Sequence, residues 1–356
     1  MKIAIVTQPL KGNYGGFLQN FALQQVLKKL GHTVVTIDYI PHDYTIVRFI
    51  LSSIKTILFS ITPRRRKFIP YTFKRTHLFD GFVRKNINVT EQCSKYKRSM
   101  LEKYGIQAVI TGSDQVWRPM YNDNLGAMFL DFVPSGKMKK VAYAASFGVD
   151  NWEYTPEETE LCKKLVQEFD VVTVREASGV DLCKKHLTVQ ATEVLDPTLL
   201  LNKEDYENVC SDVACIKSPF LASYVLDLTP EKKQYIEKIA EDLNLPLKLY
   251  GIAENAELSL EEWIAMFRDA AFVVTDSFHG SVFSIIFNKP FISIGNENRG
   301  LSRFQSILDK FGLLSCLTTD LQTVDLNAIM AIDWLAVNTK RKALQDYSIQ
   351  FLKFLR

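Results

Sequence analysis

The feature that most constrains this chain is an alternation of short apolar strands with amphipathic helices, which occurs as two successive series. The first series predicts strands at 3–7, 33–40, 108–111, 141–146 and 171–174, with helices at 17–30 and 155–168. The second predicts strands at 220–226, 247–250, 273–275 and 291–294, with helices at 230–243, 260–268 and 302–311. Because helices that connect consecutive strands carry the chain back to the same edge, this alternation is typical of parallel sheets and of the α/β class.

The two series predict two Rossmann-like parallel-sheet domains that face a cleft, as in GT-B-type transferases. A polar stretch at 202–218 separates them, so we expect an N-terminal domain at 1–204 and a C-terminal domain at 205–325. A continuous long helix is expected at 326–356. The 356 residues suffice for each domain to bury its own core.

Composition limits the class of protein. An apolar content of 47% and a charged content of 23% are ordinary for soluble globular proteins. The six cysteines form no CxxC pair, which favours reduced thiols over a disulfide framework or a zinc site, and we expect no metal. The first residues resemble a β-strand more than a signal peptide, and no apolar run is long enough to span a bilayer. We therefore expect a cytoplasmic protein.

The segment 44–86 is strongly basic, with ten basic residues and one acidic residue. Its net charge of +9 leaves −6 for the remainder of the chain. An apolar, helix-length stretch at 46–59 lies shortly before the basic run 64–67, a pattern that suits peripheral contact with the anionic inner face of a membrane. The alternative is a helical excursion packed on the domain with its basic end in solvent or facing a polyanionic substrate. No nucleic-acid-binding module accompanies the charge, so we expect no nucleic acid partner.

The stretch 273–290 reads as a buried strand, a polar turn and an apolar helix. The turn brings Asp276, Ser277 and His279 to the carboxyl end of a strand, where open α/β sheets hold ligands. The helix that follows directs unpaired N–H groups at an anion near His279, so Ser277, Gly280 and Ser281 are predicted to bind it. The alternative is that His279 caps the helix or packs at a domain interface.

Other strand ends carry further polar residues. Asp114 and Trp117 follow the strand at 108–111, where an aromatic ring beside a carboxylate suits a sugar. The alternative is that Asp114 caps a helix and Trp117 belongs to the core. The stretch 12–16 contains Asn13, Gly15 and Gly16 directly before a helix, but it lacks the dinucleotide and P-loop patterns.

Two arginines also follow strands. Arg175 ends the strand at 171–174, although Glu176 beside it also allows a simple ion pair. Arg299 lies in a polar loop one strand after His279, so it can return to the same edge. Together these residues suit an anionic donor on one side and a carbohydrate on the other.

Six motifs, spread in order along the chain, resemble the polysaccharide pyruvyl transferase family: GNYGGFLQNFAL (12–23), TGSDQVW (111–117), AYAASFG (142–148), VREASG (174–179), DPTLLL (196–201) and TDSFHGSVFSIIFNKP (275–290). The resemblance implies a GT-B-like fold and transfer of a pyruvyl-derived group from phosphoenolpyruvate to a sugar as a ketal. It implies that Arg175 binds the donor and that His279 is essential. A family lysine falls on Arg299, and the family's Arg-Leu-His is Ser277-Phe278-His279 here.

The resemblance and the charges together give each residue an expected role. His279 is the acid, with Asp114 as acceptor contact or base, and the donor-binding residues are Arg175, Arg299, Ser277, Gly280 and Ser281. The acceptor-binding residues are Asn13, Gly15, Gly16 and Trp117. Phosphoenolpyruvate is a co-substrate, no cofactor is expected, and the acceptor belongs to a bacterial cell-surface polysaccharide, such as a capsule or exopolysaccharide, or to its lipid-linked precursor. The alternatives are a GT-B-type glycosyltransferase that uses a nucleotide sugar and a non-catalytic saccharide-binding protein.

Overall fold

A computed structural model of the protein describes residues 1–40, 77–122, 124–251, 258–295, 300–321 and 324–355. Its strands are β1 Lys2–Val6, β2 Thr33–Thr36, β3 Ala108–Thr111, β4 Lys139–Ala145, β5 Val171–Val174, β6 Thr192–Glu193, β7 Leu221–Tyr224, β8 Leu247–Tyr250, β9 Phe272–Thr275, β10 Phe291–Ile294 and β11 Leu317–Thr318. Its α-helices are α1 Tyr14–Lys29, α2 His77–Asn86, α3 Arg98–Tyr104, α4 Leu125–Met128, α5 Pro156–Val166, α6 Ala177–Leu182, α7 Lys203–Val209, α8 Pro230–Asp242, α9 Leu260–Asp269, α10 Phe278–Ile286, α11 Leu301–Phe311, α12 Leu326–Met330 and α13 Trp334–Lys353.

The strands form two parallel sheets, which confirms the predicted fold class. The first has the order β2-β1-β3-β4-β5-β6 and the second the order β11-β10-β9-β7-β8. In the first sheet the strand order reverses between β1 and β3, where Ile5 pairs with Ile110. In the second it reverses between β7 and β9, where Tyr224 pairs with Thr275. Crevices beyond the carboxyl ends of such strand pairs are where open α/β sheets bind ligands.

Helix α1 is buried along most of its length, so its polar side chains need partners within the protein. The Gln19 amide donates to the Thr7 hydroxyl at 2.9 Å and accepts from the Ser113 backbone N–H at 3.0 Å. These bonds tie α1 to the chain just after β1 and just after β3. The start of α1 is therefore held beside the turn that carries Asp114.

Contacts across the cleft join the two sheets' domains. The Tyr14 hydroxyl donates to the Leu258 carbonyl at 2.7 Å, and the Tyr14 ring stacks on Trp263 at 5.4 Å. On the far side, Glu193 accepts from Lys310 at 2.7 Å and from the Ser306 hydroxyl.

The C-terminal segment contains the predicted long helix, but the prediction of one continuous helix from 326 to 356 is wrong. Helix α12 ends at Met330, and α13 begins at Trp334 because Asp333 accepts hydrogen bonds from the N–H groups of Leu335 and Ala336. Helix α13 then returns to the first domain, where Gln345 donates to the Leu199 carbonyl at 2.7 Å. The predicted domain boundaries stay predictions, and α7 spans the first of them.

Candidate functional site

A cavity of about 580 Å³ lies where the two strand-order reversals face each other. We call it the cleft, and it is lined by Gln8, Pro9, Lys11, Gly12, Asn13, Tyr14, Leu78, Phe79, Asp114, Gln115, Arg118, Tyr121, Tyr224, Leu226, Tyr250, Gly251, Leu258, Trp263, Asp276, Ser277, Phe278, His279, Arg303 and Phe304. Both sheets contribute the segments that follow their central strands. The structure thus brings Asn13 and Asp114 of the first domain together with Ser277 and His279 of the second around one cavity.

Asp114 is held in place by partners on three sides. Its backbone is in the left-handed region, with φ of 75°, and its carbonyl accepts from the Ser146 N–H at 3.0 Å. One carboxylate oxygen accepts from the Asn13 amide at 3.3 Å, and the other lies 3.5 Å from the Arg175 guanidinium. Asp114 is buried, with 5% of the residue exposed, and its carboxylate borders the cleft, where it can accept a hydrogen bond from a substrate hydroxyl.

Helix α1 begins earlier than predicted, because Asn13 acts as its N-cap and accepts from the Gly15 N–H at 3.1 Å. Residues 14–16 of the stretch that was predicted to precede the helix therefore belong to its first turn. Gly15 lies directly against the His279 ring, and a Cβ there would overlap the ring atoms Nδ1, Cε1 and Cγ. Gly16 has room for a methyl group, since a Cβ at this residue would make only ordinary van der Waals contacts with Asn13 at 3.6 Å or more, and it does not line the cleft.

Helix α10 starts from the opposite side of the cleft. Ser277 is its N-cap and accepts from the Gly280 N–H at 3.3 Å. The backbone N–H groups of Phe278 and His279 lie in the first turn, so the helix itself contains no carbonyl group to which they can donate. Gly280 packs against the Thr275 side chain, and the Ser281 hydroxyl bonds that of Ser293 at 2.6 Å, so these two predicted donor-binding residues lie behind the cleft wall.

Asp276, which was predicted to reach the same strand end, has a structural role there. Its carboxylate accepts from the N–H groups of Leu226 and Asp227, at 2.6 and 3.2 Å, and from Lys232 at 2.7 Å. These bonds fix the loop after β7 to the loop after β9.

His279 is buried between the two domains. Its Nε2 atom makes no hydrogen bond within the described part of the chain and lies 3.8 Å from the Asp196 carboxylate. Burial lowers the pKa of His279 below its ordinary value, while Asp196 and Asp114 oppose that shift and Arg175 and Arg303 add to it. The imidazole is therefore neutral at neutral pH unless an anion binds beside it.

Arg175 is enclosed by carboxylates behind the cleft and does not line it. Its guanidinium lies 2.8 Å from Asp196, 3.5 Å from Asp114 and 3.9 Å from Glu176, and it covers one face of the Phe278 ring at 4.5 Å. Burial alone would lower the pKa of Arg175, but these carboxylates raise it. The side chain is a permanent charge whose partners are already inside the protein.

Sequence reasoning missed Arg303, which does line the cleft. It lies on α11 with 8% exposure, and its guanidinium is 5.6 Å from the centre of the Phe278 ring. Burial, followed by repulsion from Arg175, lowers the pKa of Arg303 to about 10, so it remains protonated at neutral pH. The sequence does contain a signal for this residue, because Arg303 shares the buried face of an amphipathic helix with Phe304 and Ile307. A cation on such a face needs polar partners around it.

Trp117 is a correction to the predicted acceptor site. Its ring is fully buried, stacks on Phe129 at 4.7 Å, and donates from its indole nitrogen to the Met128 carbonyl at 3.2 Å. It thus belongs to the core, which was the alternative interpretation. Aromatic residues that line the cleft instead include Tyr14, Tyr121, Tyr224 and Tyr250.

Two predictions fall outside the described residues. Arg299 is one, and most of the basic segment, 44–76, is the other. The described end of that segment is α2, whose Leu78 and Phe79 line the cleft. Within the described ranges, no cluster of side chains suited to a metal ion occurs, and no helix is long and apolar enough to cross a membrane.

The comparisons with known proteins agree with this architecture. The model of the polysaccharide pyruvyl transferase family matches residues 13–298. No curated protein sequence matches the chain. Among solved structures, a UDP-GlcNAc 2-epimerase of Methanocaldococcus jannaschii in complex with UDP-GlcNAc and UDP has a TM-score of 0.51 at 11% identity, covering 99% of this chain and 100% of that one. The E. coli ADP-heptose LPS heptosyltransferase II has a TM-score of 0.39 at 10% identity, covering 97% and 98%. At such identities the epimerase shows a common fold and nothing more.

Proposed function

The chain belongs to the polysaccharide pyruvyl transferase family, and from that premise we propose that it transfers the carbon skeleton of phosphoenolpyruvate to two hydroxyls of a sugar as a pyruvate ketal. One observation carries the proposal. The N-termini of α1 and α10 meet at His279, whose Nε2 atom has no hydrogen-bond partner in the described protein, in a cleft that also contains Arg303.

The donor is an anion with a carboxylate and a phosphate, and we propose that it binds at the start of α10. The first-turn N–H groups there and the positive end of the helix dipole favour negative charge. Arg303 supplies a guanidinium at the same wall, a group that binds phosphate or carboxylate with two hydrogen bonds. Ser277 shapes this turn as its cap, while Gly280 and Ser281 support it from behind. Arg175 contributes from the layer beneath, and Arg299 is proposed from the sequence as a further donor contact.

His279 is proposed as the general acid. Binding of a multiply charged anion beside the imidazole raises its pKa and so places a proton there. The proton passes to the methylene carbon of phosphoenolpyruvate, which makes C2 electrophilic. One sugar hydroxyl attacks C2, and a second displaces phosphate to close the ketal. One hydroxyl proton replaces the proton given by His279, and the other leaves with hydrogen phosphate, so the imidazole returns to its starting state.

The acceptor is proposed to bind on the first domain's side of the cleft. Asp114 can accept a proton or hydrogen bond from the attacking hydroxyl, and Asn13, on its other side, holds the carboxylate in place. Tyr14 and Tyr121 border the same space and offer ring faces and hydroxyls to a sugar. These groups replace Trp117 in the proposed acceptor site.

We also propose that the basic segment 44–86 brings the enzyme to a lipid-linked acceptor at the inner face of the membrane. The support is its net charge of +9, together with the position of α2, whose Leu78 and Phe79 reach the cleft. An acceptor held at a membrane surface would then enter beside these residues.

The experiment that tests the donor is thermal stabilisation and calorimetric titration with phosphoenolpyruvate, pyruvate, UDP and CMP. A ligand that binds the folded protein raises its stability by mass action. We expect phosphoenolpyruvate to stabilise the protein and to bind more tightly than pyruvate, which lacks the phosphate. Stabilisation by UDP or CMP without any by phosphoenolpyruvate would instead favour a nucleotide-sugar glycosyltransferase.

A further inference from the structure

A buried carboxylate, that of Asp196, lies behind the cleft and has no role in the proposal above. It is fully buried at the N-terminus of the 3₁₀ turn Pro197–Leu200. One of its oxygens, Oδ1, accepts from the Thr198 backbone N–H at 2.9 Å and from the Thr198 hydroxyl at 2.6 Å. This oxygen therefore serves the local turn.

The second oxygen, Oδ2, serves a different purpose. It accepts from Arg175 at 2.8 Å and from the Ser113 hydroxyl at 3.3 Å, and it lies 3.8 Å from the Nε2 atom of His279. One carboxylate oxygen thus connects a guanidinium of the first domain with the imidazole of the second.

We propose that Asp196 is a positioning residue that keeps His279 able to hold a proton at its buried place beside the cleft. The catalytic consequence of this role rests on the proposed function, whereas the effect of Asp196 on the protonation of His279 does not. The 3.8 Å separation is too long for a hydrogen bond, so the neutral ring is not held by Asp196. Once Nε2 carries a proton, the opposite charges attract across that gap.

Among the described residues, the charged groups that act on His279 lie on the elements packed around it. Asp196 and Asp114 favour the protonated ring, whereas Arg175 and Arg303 disfavour it. Helices α1 and α10 place no charged side chain in their first turns. Burial lowers the pKa of His279, and Asp196 is the strongest of the groups that counter this effect.

Asp196 itself is ionised in this setting. Burial alone would raise its pKa, but the Arg175 charge, then His279 and the bond from Thr198, hold that pKa below its ordinary value. The buried anion is thus available at neutral pH to stabilise a cation beside it.

The test is a titration of the histidine imidazoles by nuclear magnetic resonance in the full chain, with the His279 signal assigned by its loss in His279→Gln. Asp196→Asn keeps an oxygen for Thr198 and removes the charge. We expect the His279 midpoint in this variant to fall by about one to two pH units, or below pH ~5, because a neighbouring charge of opposite sign shifts a pKa by that order. A midpoint within about 0.3 units of the wild type overturns the proposal, as does a wild-type His279 that does not titrate above pH ~5.

Glu176→Gln is the matched control. Glu176 is another fully buried carboxylate near Arg175, at 3.9 Å, yet it is not among the groups that influence His279. We expect its removal to leave the His279 midpoint in place, and an equal fall in both variants would overturn the proposal. If Asp196→Asn does not fold, Asp196→Ser gives a second test, since a serine hydroxyl can still cap the Thr198 backbone N–H while the charge is removed, and the same fall in the midpoint is expected.

These measurements need no substrate, so they separate the two proposals. A midpoint that depends on Asp196 in a protein that ignores phosphoenolpyruvate would leave the role of Asp196 intact and remove the proposed donor. If turnover is observed, the fall of kcat/KM at high pH must move to lower pH in Asp196→Asn by the same amount as the midpoint.

Discussion

The contact between Gly15 and His279 predicts that a single methyl group on α1 disables the site. In Gly15→Ala the new Cβ would overlap three atoms of the imidazole ring, and the nearest of them lies more than about 1 Å inside normal van der Waals separation. The ring or the start of α1 must therefore move by more than about 1 Å. A misplacement of that size at a reacting group costs about 100-fold in rate, which corresponds to about 2.7 kcal/mol of transition-state stabilisation.

The assay is phosphate release from phosphoenolpyruvate with whichever simple glycoside the wild type turns over fastest. We expect kcat/KM of Gly15→Ala to fall about 100-fold, with a loss of unfolding free energy of about 1–3 kcal/mol from overpacking. Circular dichroism and thermal unfolding separate the two effects.

Gly16→Ala is the matched control, because it adds the same methyl group one residue later. The nearest atom to its Cβ belongs to Asn13 at 3.6 Å, an ordinary contact, and alanine favours a helix over glycine by about 0.5–1 kcal/mol. We expect this variant to keep its activity and stability. Wild-type turnover in Gly15→Ala, or an equal loss in both variants, would refute the argument that α1 fixes the His279 ring.

Three further predictions follow from the site and the charge pattern. His279→Gln should fold normally but lose about two to four powers of ten in kcat. In the wild type, kcat/KM should fall with rising pH at a midpoint below the ordinary histidine pKa, since burial lowers the pKa of His279 in the free protein. The corresponding midpoint for kcat should lie at higher pH, because the bound anionic donor raises the pKa of His279. Arg303→Gln should weaken phosphoenolpyruvate binding about 10- to 100-fold in calorimetry, with partial rescue by Arg303→Lys, and unchanged binding would place the donor elsewhere. Low-salt co-sedimentation with vesicles of phosphatidylglycerol and phosphatidylcholine should be abolished when four basic residues are changed to glutamine, namely Arg64, Arg65, Arg66 and Lys67. Each of these residues contributes roughly 1 kcal/mol to binding at an anionic surface. The same change at four control lysines should leave co-sedimentation in place, and these are Lys163, Lys164, Lys184 and Lys185. A wild type that ignores such vesicles at low salt would contradict the proposed membrane contact.

Local signals account for most of the fold that could be predicted from sequence. The helix predicted at 155–168 begins with such a signal, because Thr155 and Glu158 form a complete capping box at the start of α5. The break in the C-terminal helix also had a local signal, because Asp333 caps α13, but the apolar periodicity on both sides of it concealed the interruption. Strand lengths were overestimated at β2 and β7, since apolar residues continue past the last paired position.

The site was harder to predict because it depends on which segments meet. The strand–turn–helix pattern predicted that His279 lies at a strand end, and the same reasoning placed Asp114 at the end of a strand in the other domain. No local pattern indicates that Trp117 faces the core, or that Arg175 lies beneath a cleft that Arg303 lines. Those positions follow from the packing of α10 and α11 against the first domain, which a single sequence does not reveal.

In the proposed reaction, His279 delivers a proton to the methylene carbon of phosphoenolpyruvate while two hydroxyls of a sugar bond to its C2 atom. The direct measurement is the reaction in D₂O with carbon-13-labelled phosphoenolpyruvate and a glycoside acceptor, followed by carbon and phosphorus magnetic resonance. We expect a ketal methyl group that carries one deuterium, with one phosphate released per ketal, no requirement for a nucleotide and, in His279→Gln, ketal formation slower by about two to four powers of ten. A product that forms only with a nucleotide sugar, or a ketal formed equally well by His279→Gln, would contradict it.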